Sequence, residues 1–171
     1  MFEPCEGKNE RDNKKTVVKI AYDNNAIYFG AVLYDNNPNE IPKQFGERDQ
    51  IGVVDYFIIS LNPNNDGIND TEFIVMSTGA QADAKVNYGR EDFSWNAVWV
   101  SKIKMNDDSW VIEVKIPYSA LRFSNKNINN WGINFHRRLN ALNEQYSWNF
   151  IDKKVGISTQ YSGNLTGIKN I

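Results

Sequence analysis

Residues 109–117 read SWVIEVKIP, and this short stretch decides the fold class. Its apolar side chains alternate with polar ones, so that one face carries Trp110, Ile112, Val114 and Ile116. Glu113 and Lys115 fall on the other face, because successive side chains of a strand point to opposite sides. A period of two over this length predicts a β-strand with one buried face and one exposed face.

Four further segments repeat this period and are rich in β-branched and aromatic residues, which favour strands. They are TVVKIAY (Thr16–Tyr22), AIYFGAVLY (Ala26–Tyr34), VVDYFIISL (Val53–Leu61) and TEFIVMS (Thr71–Ser77). Turn signals such as DNN, NPNNDGIND and NDDS separate them, and only Tyr118 to Phe123, after Pro117, suggests a helical turn. This pattern predicts an all-β fold: a two-sheet antiparallel β-sandwich, immunoglobulin-like or jelly-roll-like, with one short helical turn.

The bulk composition is that of a single folded domain. A length of 171 residues suffices for one core, with 41% hydrophobic and 23% charged residues. We assign residues 1–15 to a polar N-terminal segment and residues 16–171 to the domain. A net charge of −2 argues against a nucleic-acid binder, which needs a basic field. No apolar run approaches the ~20 residues of a membrane-spanning helix.

Cysteine and histidine are too scarce to build a zinc site, since Cys5 and His136 are the single residues of their types. The opening MFEPCEGKNERDNKK contains no apolar stretch of the kind found in a signal peptide. A glycosidase needs two carboxylates across a cleft, and the sequence singles out no such pair among its 21 acidic residues. No G-x-S-x-G nucleophile motif is present, and we expect a non-enzymatic protein.

The segment NWGINFHRRLN (Asn130–Asn140) predicts a further strand whose two faces differ in chemistry. The face expected in the core comprises Trp131, Ile133 and Phe135. The opposite face comprises Gly132, Asn134, His136 and Arg138. From spacing alone this second face is either a solvated outer surface or a polar binding floor, because Asn, His and Arg can each hydrogen-bond hydroxyl groups.

The surroundings of the five tryptophans divide them between core and surface. Trp99 and Trp110 are predicted to lie in the core, since large aromatic side chains dominate sandwich cores. Trp95 follows the polar sequence REDFS and is the best candidate for an exposed platform that stacks on a ligand. Trp148, in QYSWNF, alternates with other aromatic residues, which predicts a core or sheet-face position.

The loop NPNNDGIND (Asn62–Asp70) offers oxygen ligands of the kind that calcium prefers. The candidate ligands are Asn62, Asn64, Asp66 and Asp70, placed around a glycine turn. The spacing is not that of an EF-hand, and the alternative is a polar hairpin loop between two paired strands. Calcium is the one metal that the sequence suggests.

Several segments, in their order and spacing, resemble a family 9 carbohydrate-binding module. They are TVVKIAYDNNAIYFGAVLYDNNP, RDQIGVVDYFIISLN, SWNAVWVSKIKMNDDSWVIEVKIPYSALRF, WGINFHRRL and SGNLTGIKNI. More narrowly, they resemble the version at the N-terminus of large bacterial surface or periplasmic proteins whose remainder is expected to form a barrel. The resemblance implies a β-sandwich that binds poly- or oligosaccharides during polysaccharide degradation or glycan uptake. It also implies a periplasmic, cell-surface or secreted location.

The resemblance further implies a sugar-binding site. In sugar-binding members, an acidic residue of the third strand and a polar residue of a later strand bind sugar hydroxyl groups, and these positions fall on Asp55 and His136. Those members also clamp the sugar between aromatic residues, but here neither ERDQ nor the segment before Tyr161 supplies one. We therefore expect weak binding, roughly millimolar or ~4 kcal/mol. The hypothesis is one shallow polar patch with an aromatic rim, formed by Asp55, Asn134, His136 and Arg138 with Trp95 or Tyr161.

Two other functions are open from the sequence. One is a structural or docking domain that packs against a C-terminal barrel region of a longer protein. The other, less favoured, is a haem-binding sandwich in which His136 and either Met76 or Met105 supply the ligands. A glycan-binding assay separates sugar binding from docking, and the absorption spectrum of the purified protein tests for haem.

Overall fold

Short antiparallel strands account for most of the described chain, as the alternation predicts. The computed structural model describes residues 9–44, 46–124, 127–152, 154 and 156–171. Within them the strands are β1 (Thr16–Tyr22), β2 (Ala26–Tyr34), β3 (Tyr56–Asn62), β4 (Asn69–Met76), β5 (Gln81–Asn87), β6 (Arg90–Asp92), β7 (Val100–Met105), β8 (Ser109–Pro117), β9 (Ile128–Leu139), β10 (Glu144–Ser147) and β11 (Gly163–Lys169). Short 3₁₀ turns lie at Asp12–Lys14, Pro38–Glu40, Tyr118–Ala120 and Ser158–Tyr161, so more helical turns occur than the one predicted after Pro117. None of the described helices has the length or the hydropathy to cross a membrane.

The strands form two antiparallel sheets, which confirms the predicted sandwich. The small sheet has the order β1-β2-β8-β7, and the large sheet has the order β10-β9-β3-β4-β5-β6. Both β10 and β11 pair with β9 on the edge opposite β3. β10 lies against residues 136–139 of β9, and β11 lies against residues 128–133.

The core lies between the sheets and is built from the alternate apolar residues of the facing strands. The predicted core residues Trp110, Ile112, Val114, Trp131, Ile133 and Phe135 are all buried. Phe135 of β9 stacks on Phe57 of β3, with ring centroids 5.8 Å apart. Trp99 packs edge-on against Phe73 and is buried as predicted. The predicted register of β8 and the predicted core face of β9 are confirmed.

The outer face of the large sheet is covered by the chain between β10 and β11. Thr159 Oγ1 donates a hydrogen bond to the carbonyl of Gly67 at 2.9 Å, and the backbone N–H of Asn149 donates to Asn134 Oδ1 at 3.0 Å. Asn134 and His136 are consequently only 2% and 5% exposed. The interpretation of this face as a solvated surface is therefore wrong for these two residues, because β9 is buried on both sides.

The sandwich is open along one side, because the large sheet extends past the small one. The small sheet ends at β1, whereas β10 and β11 lie beyond β9 in the large sheet. Val18 and Ile20 of β1 pair with the buried residues Ala31 and Phe29, so their side chains face inward. Ile20 is nevertheless 36% exposed, since none of the described strands of the large sheet closes over it.

The N-terminal segment, described from residue 9, is fastened to the sandwich by buried charge. The guanidinium of Arg137 donates to the carbonyls of Lys14 and Tyr34 at 2.8 and 2.9 Å. It also lies 3.7 Å from a carboxylate oxygen of Asp35, which offsets the loss of water around a side chain that is 2% exposed. The segment therefore has a fixed position at the mouth of the open side.

Candidate functional site

A polar cluster lies buried on the outer face of the large sheet, where the sequence suggested a polar floor. The register places Ser60 of β3 directly between Asn134 of β9 and Glu72 of β4. Asp70 lies on the same face and accepts a hydrogen bond from Ser60 Oγ at 2.8 Å. None of these four residues is more than 6% exposed. The cluster is therefore closed to a ligand in this conformation.

Burial controls the protonation of this cluster. It raises the pKa of Glu72 to about 8 and that of Asp70 to about 6, because the charged forms lose their water, and the carboxyl of Glu91 adds to the shift of Glu72. In the described part of the chain, Glu72 Oε2, Asp70 Oδ1 and Asn134 Nδ2 have no hydrogen-bond partner. Each such buried atom costs about 1–3 kcal/mol. Glu72 thus keeps its proton at neutral pH.

His136 lies on the same outer face, opposite Ile58 of β3. Burial lowers the pKa of His136 to about 4, so its imidazole is neutral at physiological pH. Of the possible haem ligands, Met76 packs in an apolar cluster with Ile58 on this face, whereas Met105 lies on β7 of the small sheet. The haem interpretation stays a prediction.

Asp55 lies on the inner side of the large sheet, because it is two residues before the core residue Phe57 and residues two apart in an extended segment point to the same side. Its Oδ1 accepts the backbone N–H of Asn140 at 2.7 Å, and the residue is 3% exposed. Burial raises the pKa of Asp55, as expected for a carboxyl removed from water. The structure does not bring Asp55 together with Asn134 and His136, since the sheet lies between them. The predicted single patch is wrong in this respect.

Trp95 is half-buried at the edge of the core and is not the open platform that its polar neighbours suggested. Its ring packs edge-on against Phe73 at 6.2 Å, and Lys85 Nζ lies 4.0 Å from the ring centroid. Phe73 belongs to the inner face, so Trp95 does not lie beside the outer-face cluster. Its covered face is unavailable for stacking in this arrangement.

Arg138 and Tyr161 flank the outer-face cluster without completing an open patch. Arg138 is half-buried and its Nη2 donates to Asn143 Oδ1 in the β9–β10 turn. Tyr161 ends a 3₁₀ turn, and its carbonyl accepts from Asn149 Nδ2 at 2.9 Å. Because Asn149 also bonds Asn134, Tyr161 belongs to the cover of the cluster.

The candidate calcium residues Asn62, Asn64, Asp66 and Asp70 belong to the hairpin between β3 and β4, which confirms the predicted loop between paired strands. Asp66 Oδ1 accepts the N–H groups of Ile68 and Asn69, both at 2.8 Å. Burial alone would raise the pKa of Asp66, but hydrogen bonds from Asn69 and Ile68 outweigh it and lower the pKa to about 2. No group of three or more His, Cys, Asp or Glu side chains suited to a metal occurs among the described residues. Calcium binding stays one of the two alternatives that the sequence leaves open, beside a purely polar hairpin loop.

A cleft of about 1070 Å³ occupies the open side of the sandwich. Val18 and Ile20 of β1 form one wall, and the ends of β10 and β11 form the other. Phe57, Ile133 and Phe135 of the core form an apolar floor. A volume of this size suits a ligand of several hundred daltons, since ligand sites in proteins are usually about 300–1,000 Å³.

Trp148 stands on the wall of this cleft with much of its indole exposed. The prediction that it lies in the core or on a sheet face is wrong in its burial, since the residue is 59% exposed. Its backbone N–H donates to the carbonyl of Phe135 at 2.9 Å, and the two rings lie 6.0 Å apart. A Cβ on Gly163 would lie 2.7 Å from Trp148 Cη2, so the glycine is what lets the indole approach β11. One part of the ring is thus held by protein while another part faces solvent.

Polar groups surround the apolar part of the cleft. Glu10 and Asp12 of the N-terminal segment lie at one end, with Ser147 and Asn164 on the opposite wall. The N–H of Thr16 donates to Glu10 Oε2 at 3.2 Å, and burial raises the pKa of Glu10. An aromatic platform beside carboxylate, hydroxyl and amide groups can stack on one face of a small ring and hydrogen-bond its edge.

The sequence contains one signal for this site, a pair of aromatic residues in a polar segment. Trp148 and Phe150 alternate with asparagine and serine in SWNF, and both aromatic residues are more than 50% exposed. Trp148 points to the same side of the sheet as the buried Tyr146, because it continues the pairing of β10 with β9. The alternation tells which side of the sheet Trp148 faces. It does not tell that the opposing sheet ends at β1 and leaves this position uncovered.

The solved structures similar to this chain include two complexes of carbohydrate-binding modules and one candidate carbohydrate-binding protein. A family 9 carbohydrate-binding module from Caldicellulosiruptor kristjanssonii in complex with glucose is 17% identical and has a TM-score of 0.59. The matched region covers 88% of this chain and 75% of the module's chain. A family 9 module from the same organism in complex with cellotriose is 17% identical, with a TM-score of 0.58 and coverage of 89% and 75%. A candidate carbohydrate-binding protein from Bacteroides uniformis is 13% identical, with a TM-score of 0.72 and coverage of 89% and 78%.

Neither a family model nor a curated protein matches the sequence. The likeness is therefore one of overall fold, at identities of 13–17%. At this level of identity it identifies the fold and leaves the ligand to be argued from the cleft. The chain has the fold of the family 9 carbohydrate-binding modules.

Proposed function

We propose that this chain is a non-catalytic carbohydrate-binding module that holds a sugar in the cleft against Trp148. The observation that carries the proposal is the exposed indole beside an apolar floor and a polar rim. A pyranose ring has a hydrogen-lined apolar face and a hydroxyl-bearing edge, which such a surface matches. The glucose and cellotriose complexes of modules with the same fold support the choice of ligand class.

The same geometry implies weak binding. One stacked ring contributes ~0.5–1.5 kcal/mol, on the scale of other aromatic contacts. Each hydrogen bond from the rim adds about 0.5–1.5 kcal/mol. One platform with a few rim hydrogen bonds is thus expected to bind weakly, with an affinity that is roughly millimolar or ~4 kcal/mol. We place this binding in polysaccharide degradation or glycan uptake outside the cytoplasm, as the sequence resemblance implies.

Replacing Trp148 with Ala tests the proposal. Glucose and cellotriose are titrated into the wild type and the variant, and binding is followed by calorimetry or by NMR shifts. We expect the variant to lose about tenfold in affinity, equivalent to ~1.4 kcal/mol. Its melting temperature should change little, because the side chain is 59% exposed. Equal sugar affinity in the variant and the wild type would contradict the assignment of the platform.

Tyr88→Ala is the matched control. Tyr88 is 62% exposed in the turn between β5 and β6 and does not line the cleft, so it removes a similar aromatic surface elsewhere. A second variant, Gly163→Ala, keeps the indole but places a methyl group where Trp148 now packs. We expect it to weaken binding as well, because the ring must move.

A docking role for the domain is the second candidate, and the free edge of β1 favours it. In the described part of the chain β1 pairs with β2 alone, which leaves backbone N–H and C=O groups unpaired beside the cleft. A neighbouring domain of a longer parent protein could cover this edge. Slower amide exchange of β1 in the longer protein than in the isolated domain, with no sugar binding, is the expected result for docking.

A further inference from the structure

The outward face of the small sheet is exposed across its four strands. Its residues are identified by their register with the buried inward rows of β2 and β8. They are Val17, Lys19 and Ala21 of β1, Tyr28, Gly30, Val32 and Tyr34 of β2, Val111, Glu113 and Lys115 of β8, and Val100, Lys102 and Lys104 of β7. Each of them is half-buried or exposed, whereas Ala26 and Ser109 at the ends of the same face are buried.

This face is strongly basic for an acidic protein. Its charged side chains are the lysines Lys19, Lys102, Lys104 and Lys115 and the acid Glu113, which give +3. The whole chain carries −2, so the rest of the chain carries −5. Within the described residues, no hydrogen bond or ion pair engages Nζ of Lys19, Lys102 or Lys104. These ammonium groups are available to an anionic partner.

Gly30 leaves a bare strip at the centre of this face. It lies between Lys19 of β1 and Glu113 of β8 in the register, in the interior of β2. An added Cβ would meet no atom within 4 Å, and the residue is not among those with positive φ. Glycine here costs the strand roughly 0.5–1 kcal/mol relative to alanine. Nothing in the described structure requires it, and such a glycine often marks the close approach of a ligand.

Tyr28 supplies an oriented ring next to the bare strip. Its hydroxyl donates to Asp23 Oδ2 at 2.9 Å, and Lys115 Nζ lies 5.8 Å from the ring centroid. Lys19 and Lys102 stand on the two edge strands, about 14 Å apart across three strand spacings. The face therefore offers a ring and exposed backbone, with Lys19 and Lys102 at the two ends of the row that contains Gly30 and Glu113. Lys115 lies in the next row on this face, opposite Tyr28.

We propose that this face binds an acidic polysaccharide, which lies over Gly30 and pairs its carboxylates with Lys19, Lys102 and Lys115. An extended sugar chain is flat enough to contact a β-sheet without a pocket, and its repeated anions match cations spread across the strands. A membrane surface is the less suitable partner, because the outward residues include no Trp, Phe or Leu to enter the lipid boundary. The proposal uses none of the residues of the cleft and is independent of the function proposed there.

Binding of polygalacturonate tests the proposal, and the fully methyl-esterified polymer serves as its neutral control. In affinity electrophoresis at low salt we expect the wild type to be retarded by polygalacturonate and not by the ester. Added salt should weaken the retardation, because exposed charges are screened. Gly30→Val should fold with an unchanged or higher melting temperature, since valine favours strands, and should lose about tenfold in affinity by occupying the strip.

The double variant Lys19→Gln/Lys102→Gln should also lose binding, whereas Lys43→Gln/Lys169→Gln removes two exposed lysines elsewhere and should not. Trp148→Ala should bind polygalacturonate normally, which separates this surface from the cleft. Absence of retardation at low salt overturns the proposal, as does normal binding by both Gly30→Val and the Lys19/Lys102 variant. Tighter binding to vesicles of phosphatidylglycerol than to polygalacturonate, lost in the same variants, would assign the face to membranes instead.

Discussion

Replacing Glu72 with Gln should remove most of the pH dependence of stability between pH 6.5 and pH 8. In the folded protein Glu72 keeps its proton up to a pKa of about 8, whereas the unfolded chain releases it near the ordinary value of 4.5. Between these values the folded state binds more protons than the unfolded state, so the free energy of unfolding falls as the pH rises. Glutamine is neutral at every pH and lacks this effect.

The neighbours of Glu72 define the window for the measurement. Asp70 acts in the same direction, but only up to its pKa of about 6. His136 acts in the opposite direction, because its folded pKa of about 4 lies below the ordinary 6.5. Its effect makes the free energy of unfolding rise with pH between these two values and changes it little at higher pH. Burial raises the pKa of Glu91 too, but this side chain is exposed and its contribution is screened. Above pH 6.5 the titration of Glu72 dominates.

The expected size follows from the two pKa values. One pH unit changes the free energy of unfolding by about 1.4 kcal/mol when one proton separates the two states. Allowing for partial titration near the folded pKa, the fall from pH 6.5 to pH 8 is roughly 1.5 kcal/mol. For a chain of this length that corresponds to ~3–6 °C in melting temperature.

Urea denaturation at the two pH values measures this effect. The wild type and Glu113→Gln, which removes an exposed acid from the small sheet, should both lose stability as the pH rises. Glu72→Gln should lose much less. The reasoning is refuted if the wild type has the same midpoint at both values, or if Glu72→Gln keeps the wild-type slope.

Asp55 and Asp66 are expected to stabilise the fold through backbone hydrogen bonds. Asp55→Ala should lower the free energy of unfolding by about 1 kcal/mol, because the part-buried backbone N–H of Asn140 loses its acceptor; an unchanged denaturation midpoint would show that the bond contributes nothing. Excess chelator should leave the melting temperature unchanged, because Asp66 Oδ1 already accepts two backbone N–H groups; a clear fall on chelation, reversed by calcium, would establish a metal bound to the folded state.

Alternation along the chain was sufficient to predict the sandwich, but it did not predict what covers each face. The ends of β1, β2 and β8 were predicted to the residue, since each strand pairs along its full length inside the small sheet. In contrast, Val53 was placed in a strand that begins only at Tyr56. The residues before Tyr56 form one isolated bridge to Lys43 and no continuous ladder.

The candidate site shows the same limit more sharply. Period two correctly placed Asn134 and His136 on one face, but only the course of the chain after β10 shows that this face is covered. Asp55 was joined to them by the family resemblance, whereas its own parity with Phe57 places it on the inner side. The spacing of residues indicates which side chains share a face of a sheet. Whether that face is covered depends on irregular segments, in which side chains do not repeat at a regular spacing.

The segment after β10 fixes the platform and the cover together. Trp148 pairs its backbone N–H with Phe135 on the inner side of β9, and the next residue, Asn149, bonds the outward side chain of Asn134. Two adjacent residues at the edge of β9 thus contact the inner and the outer side of the large sheet. The indole is therefore anchored by backbone pairing and by the buried cluster beyond it, rather than carried on a loose loop. A platform held in this way loses little freedom when a ligand stacks on it, and this is the physical reason that a single exposed tryptophan can serve as a binding surface here.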